Sequence, residues 1–254
     1  MKQMSDITER FLVLGVASAS VLFLLAGCNR EHAPDCFQSA GVFDTAYHSL
    51  SEFTSIELND YIHYELCDTS YSGVMIVGPR NLLPEISAVV EEGELTVRNN
   101  NRCNFVRSYK NRITVRICAS SFADIQNYST GDVNSVNTIG GKRFSLDNRG
   151  AAGVQTLELR CDTVNIASHT GVSDAILSGV CDVVQLFNQG LGEIDATALS
   201  ANYAFVNNSS INDVYVKAHN YLFAFIQYSG NIFYSGNPDV IDTDITGEGE
   251  LVPF

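Results

Sequence analysis

The chain contains no tryptophan and only 5 prolines among 254 residues, and its 15 Lys and Arg are outnumbered by 29 Asp and Glu. So few prolines, with 19 glycines, exclude collagen-like and Pro-rich extended chains. A net charge of −14 lacks the basic footprint that a phosphate backbone demands, so no nucleic-acid partner is expected. The one local exception, Arg102, Arg107, Lys110, Arg112 and Arg116, reads as a solvated strand face. No Cys-x-x-Cys pair occurs, which removes the usual zinc and thioredoxin-like motifs, and no metal or cofactor is expected. What remains, 45% apolar and 17% charged residues, describes a packed chain and not a disordered one.

A hydrophobic run long enough to span a membrane is also lacking. The apolar stretch from Phe11 to Ala26 falls short of the roughly 20 residues a spanning helix needs. It follows Lys2 and Arg10 and ends in small residues, the pattern of a secretory signal. Leu25-Ala26-Gly27-Cys28 resembles the lipobox of bacterial lipoproteins. The resemblance implies a signal peptide over 1–27, cleavage before Cys28 and acylation of that residue, with 28–35 as a tether. Several acyl chains would make a lasting membrane anchor. Asn29, where an aspartate would resemble an inner-membrane retention signal, favours the outer membrane. After Cys28, six cysteines remain, and an oxidising compartment permits disulfides among them.

The second half of the chain repeats. Apolar anchors stand at Ile125, Leu146, Ile166, Leu186, Val206 and Ile226, separated by 20 or 21 residues. Two residues earlier stand Ala123, Phe144, Val164, Val184, Ala204 and Ala224, with mostly polar residues between, an in-out-in alternation of period two. Two residues after most anchors comes asparagine (Asn127, Asn148, Asn188, Asn208), read as a stacked turn in left-handed backbone. Such a unit cannot bury its own apolar face, but stacking buries it. Six rungs would give a prism roughly 29 Å long. The crossover rule selects a right-handed parallel β-helix, a single all-β solenoid over 36–254. Within it, 36–119 is expected as irregular first rungs and cap, and 120–238 as regular repeats. Gly236-Asn237-Pro238 is expected to stop the stacking, with 239–254 as a C-terminal tail over the end.

Several local patterns resemble the auto-transporter adhesin head "GIN" domain family of bacterial lipoproteins. They are Asp35-Cys36-Phe37 with Gly41, Asn81-Leu82-Leu83-Pro84-Glu85-Ile86, Cys103 to Lys110, and Gly236-Asn237-Pro238. The resemblance covers nearly the whole mature chain, and its motifs are structural. It implies a β-helix, exposure in the periplasm or at the surface, and an adhesin-like role. It also implies a Cys36–Cys103 disulfide, because the matching cysteines occur together in the family. Phe105 stands where tryptophan is more usual.

Chemistry is sought along the columns of the repeat. Cys161 and Cys181 share a column, where a bridge and a reduced ladder fit equally well. Seven residues after the anchors stand Asp132, Gly153, Ser173, Glu193, Asp213 and Phe233. Glu193 and Asp213, one rung apart, approach the ~5 Å spacing of retaining glycosidases, and could equally hold calcium. Only Arg160 and Lys217 supply positive charge between residues 150 and 254, so a solvated acidic face is the plainer reading. His169 and His219 stand alone in the pattern. Outward positions of the last two repeats carry Tyr203, Phe205, Phe223 and Phe225. These four are read either as covered by the C-terminal tail or as a platform for a glycan or protein partner.

The sequence thus points to a non-enzymatic, outer-membrane lipoprotein that offers one face of a β-helix to a glycan or to an envelope or host protein. The alternative is a polysaccharide-active β-helix enzyme using Glu193 and Asp213. Nothing in the pattern specifies an oligomeric state.

Overall fold

The computed structural model describes residues 39–102 and 112–254; Cys28, Cys36 and Cys103 lie outside them. Its regular core is a stack of parallel strands: β8 (Asp124–Asn127), β9 (Val133–Ser135), β10 (Ile139–Ala151), β11 (Val154–Gly171), β12 (Asp174–Asn188), β13 (Ile194–Asn208) and β14 (Val214–Ile226). The long strands β11, β12 and β13 each pair along most of their length with the strand one turn on. The result is a parallel β-helix of about six turns. Ile125, Leu146, Ile166, Leu186 and Val206 are register partners in succession, and none is more than 2% exposed. The alternation read from the sequence is the cause: Val164 and Ile166 face inward while Asn165 between them is not fully buried.

The sixth anchor breaks the column. Strand β14 has 13 residues where β13 has 15, and the pairing slips between Ala196 and Ser200. Val206 therefore lies opposite Ala224, while Ile226 lies opposite Asn208. The slip is three residues at Ser200 and Ala201, one is regained before Tyr203, and from there on the net shift of two preserves the in-out phase.

The asparagines are placed differently from the expectation. Asn127, Asn148, Asn188 and Asn208 are fully buried, end or interrupt strands, and are absent from the left-handed backbone region, which among the described non-glycine residues holds Asp60, Glu92 and Asn237. Only the first two bond amide to amide, with Asn127 Nδ2 donating to Asn148 Oδ1 at 2.9 Å. Asn188 Nδ2 donates to the Gly192 carbonyl at 3.1 Å and Asn208 Nδ2 to the Asn212 carbonyl at 2.9 Å. The inward amides thus satisfy turn carbonyls from inside the stack. Space in these turns is tight. A side chain on Gly192 would run into the carbonyl oxygen of Ser173 in the turn below.

The N-terminal half follows a different order in space from that in sequence. Strands β2 (Ser55–Leu58) and β3 (His63–Asp68) form a turn that pairs on one side with β8 and β9. On its other side it pairs with β6 (Glu94–Asn99) and β7 (Thr114–Ala119). The chain lays down a middle layer, loops out, adds the end layer, and then returns to the opposite side. The inward row Ile56, Leu58, Tyr64 and Leu66 is fully or almost fully buried between both neighbours.

Antiparallel strands close this end: β1 (Phe43–Ser49) on β4 (Gly73–Pro79), β4 on β7, and β5 (Ile86–Glu91) on β6. They cover edges that would otherwise template pairing with other chains. The β5–β6 hairpin turns through Glu92 and Gly93, both at positive φ.

At the other end, Gly236 and Asn237 do make a left-handed turn, yet the stacking continues past it. Strand β15 (Ile232–Ser235) and β16 (Val240–Ile245) pair with β14, and β17 (Leu251–Pro253) pairs with β15. The residues expected as a folded-over tail are a further rung. Alternation explains it: Ile241 and Ile245 are register partners of the inward Leu222 and Ile226.

Candidate functional site

Because residues 240–245 extend the stack, they leave the aromatic face of β13 and β14 uncovered. The register places Tyr203 opposite Tyr221, Phe205 opposite Phe223, and Phe225 opposite Asn207. The four residues singled out from the sequence do share one outward face, but not as four stacked partners. Tyr221 takes the place beside Tyr203, and it was missed because the two-residue slip is invisible in a 20-residue period. Tyr203 remains 41% exposed and Phe205 38% exposed. The Phe205 and Tyr221 rings lie 5.6 Å apart, tilted by 49°. Val183 and Phe187 extend the apolar area downward, and Gln185 borders it.

The upper rim is acidic. Asp242 lies opposite Phe223 and Asp244 opposite Phe225. The Tyr221 hydroxyl donates to Asp242 Oδ2 at 2.8 Å, which holds that phenol protonated to higher pH than usual. The face is thus an aromatic floor with hydrogen-bonding groups at its edge. Such a surface suits sugar rings, whose CH faces stack on aromatics while their hydroxyls need polar partners, and equally a protein side chain.

The carboxylate column is rearranged. Val154 and Asp174 are register partners, while Asp132, Glu193, Asp213, Asn231 and Glu250 each stand one place before a paired residue of their own turn. The 20-residue count had placed Gly153, Ser173 and Phe233 in it. Several members cap the turn above. Asp132 Oδ1 accepts from the Val154 amide at 3.1 Å, Asp174 Oδ1 from Glu193 at 2.9 Å, and Asp213 Oδ1 from Asn231 at 2.8 Å. Asp213 is thereby engaged in holding backbone. Burial, then Asp174, Asp195 and Asp213, raise the Glu193 carboxyl above its ordinary range. Among the described residues no group of three His, Cys, Asp or Glu could hold a metal ion. Beside the column, Tyr215 stacks on Phe233 at 4.9 Å and meets Phe254 edge-on at 6.2 Å, a second aromatic group that sequence reading did not single out.

Neither histidine is isolated. His169 Nε2 lies 3.0 Å from Asp147 Oδ1, and His219 Nε2 lies 2.8 Å from the Ser200 hydroxyl. Cys161 and Cys181 are register partners in the buried column expected of them, and both are free thiols. Burial raises both, Cys181 to about 12. Of the basic cluster, Arg107 and Lys110 lie outside the described residues. Arg116 pairs with Glu65 at 2.7 Å.

The family model described as "Putative auto-transporter adhesin, head GIN domain" matches residues 52–238. A solved structure of a putative adhesin from Bacteroides fragilis is similar to this chain at TM-score 0.77 and 22% identity, covering 84% of this chain and 97% of that one. A putative adhesin from Parabacteroides distasonis matches at TM-score 0.62 and 16% identity, covering 84% and 98%. A putative lipid binding protein from the same species matches at TM-score 0.60 and 19% identity, covering 84% and 97%. At these identities the likeness is one of fold. No curated protein matches the chain.

Proposed function

The chain belongs to the putative auto-transporter adhesin head GIN domain family, and we propose that it is a non-enzymatic, adhesin-like lipoprotein of the cell envelope. In this reading Cys28 carries the lipid that holds the protein to the outer membrane. The β-helix is a rigid support, and the face made by Tyr203, Phe205, Tyr221, Phe223 and Phe225 meets a glycan or an envelope or host protein.

One observation carries the reading: the paired rows Tyr203–Tyr221 and Phe205–Phe223 lie on an outward sheet face that no other described segment covers. Tyr203 and Phe205 keep large apolar area in water, and such patches mark interaction sites. An enzymatic reading at Glu193 and Asp213 is weakened by Asp213, whose carboxylate already accepts the Asn231 amide.

The test places the full chain, solubilised in mild detergent, on immobilised polysaccharides, host glycoproteins and lipid vesicles. Binding and released reducing ends are recorded together. Retention on a glycan or glycoprotein without release, lost in Phe205→Ala with Phe223→Ala, supports the proposal. Release of reducing ends that disappears in Glu193→Gln overturns it in favour of the enzyme, and retention on vesicles alone overturns the glycan or protein partner.

A further inference from the structure

Cys67 and Cys118 are register partners on the neighbouring parallel strands β3 and β7. Both lie on the outer side of the layer, since the inward positions are Tyr64, Leu66, Val115 and Ile117. Both are free thiols. They differ from the pair Cys161 and Cys181 in access. A cavity of about 230 Å³ opens beside them, lined among others by Tyr47, Cys67, Tyr71, Met75, Arg116 and Cys118. Cys67 is partly exposed, while Cys118 is nearly buried beneath Tyr71, whose hydroxyl donates to Cys118 Sγ at 3.3 Å. Opposite Cys118 on β4 stands Gly73, where a side chain would press on the His48 carbonyl oxygen.

We propose that Cys67 and Cys118 form a reversible disulfide, an oxidisable clasp that joins the end layer of the β-helix to the inserted layer next to it. In-register parallel neighbours are spaced about 4.8 Å apart, within the range a disulfide can bridge. The oxidant is a small-molecule or protein disulfide, RSSR. The Cys67 thiolate attacks one of its sulfurs and expels RS⁻, giving a mixed disulfide. The Cys118 thiolate then attacks Cys67 Sγ and expels the second RS⁻. Two protein thiols and one RSSR become one protein disulfide and two RSH, the protons passing to the departing thiolates.

Access makes Cys67 the attacking group and Cys118 the resolving one. Burial and the nearby Cys118 raise the Cys67 thiol, with Arg116 pulling the other way, so exchange quickens as pH climbs through the thiol range. The clasp closes the loop that carries β4, β5 and β6, and so fixes the non-sequential order of the layers.

The test exposes the reduced full chain to glutathione disulfide at mildly alkaline pH, followed by alkylation and peptide mapping. The expected result is a cross-linked peptide joining Cys67 and Cys118 and the loss of two hydrogens in mass. The melting temperature should rise by roughly 5–10 °C, reversed by dithiothreitol. Cys161 and Cys181 should take alkyl label only after unfolding. Cys118→Ser should stop at a glutathione adduct on Cys67. Separate alkylated Cys67 and Cys118 peptides after oxidation, or a cross-link from Cys67 to any other cysteine, overturn the proposal. The wild-type map decides it even if the variant does not fold.

Discussion

Val206 lies opposite Ala224, two residues short of Ile226, and this slip decides which aromatic rings become neighbours. Phe205 stands beside Phe223 because of it, and Tyr203 beside Tyr221.

The aromatic pair can be separated from stability. Phe205 is 38% exposed and points away from the core, so truncating it leaves the inward rows intact. Phe205→Ala with Phe223→Ala should cost on the order of 1–2 kcal/mol, from lost cross-strand contact and partial burial. Ligand retention should fall at least about tenfold, since central aromatics dominate interface energies. Urea unfolding beside the retention assay checks both. Loss of folding with no loss of retention per folded molecule would exclude this face.

Turn spacing gives a second expectation. A methyl on Gly192 meets the Ser173 carbonyl, which is backbone and cannot swing away. Gly192→Ala should therefore destabilise by about 1–3 kcal/mol. Gly140→Ala is the control, because its added methyl meets the Asp68 carboxylate at an ordinary 3.5 Å. Equal denaturation midpoints for the two variants would contradict the steric account.

The buried asparagines are tested at Asn148. It accepts from Asn127 Nδ2 at 2.9 Å, and its own Nδ2 faces Gln155 Oε1 at 3.3 Å and Ser168 Oγ at 3.4 Å. Asn148→Leu keeps the number of side-chain heavy atoms but orphans buried partners, at about 1–3 kcal/mol each. Thermal unfolding should show a loss larger than that of Asn165→Leu, whose side chain lies outside the core.

The Glu193 carboxyl supplies a pH signature. Its raised folded value means the folded state binds the proton more tightly than the unfolded chain. Stability from this group is complete below the ordinary value of 4.5 and declines as pH rises through the raised folded value. Glu193→Gln should match the wild type in acid and equal or exceed its melting temperature at neutral pH. A variant less stable at neutral pH would show that the carboxylate is held by a cation or donor.

Much of the architecture was legible in residue spacing. The period of 20 placed Ile125, Leu146, Ile166, Leu186 and Val206 in one column, because in a stack of identical coils equal spacing means equal position. Alternation within each repeat fixed which side chains entered the core. The β5–β6 hairpin was not readable, since Glu92-Gly93 lacks the usual Asn or Asp before glycine. Gly236-Asn237-Pro238 read as a stop, but its left-handed turn is compatible with another layer when apolar residues such as Ile241 and Ile245 follow in phase.

The sequence by itself determined a β-solenoid and its inward rows, because burial in a parallel stack depends on period and alternation alone. Only the tertiary structure decided the layer order, which sets β2 and β3 between β6–β7 and β8–β9, since any layer with a matching apolar row can pair with any other. It also decided the aromatic partners and the juxtaposition of Cys67 with Cys118. Those residues are 51 positions apart, and no period relates them; they meet because two strands distant in sequence share a backbone ladder.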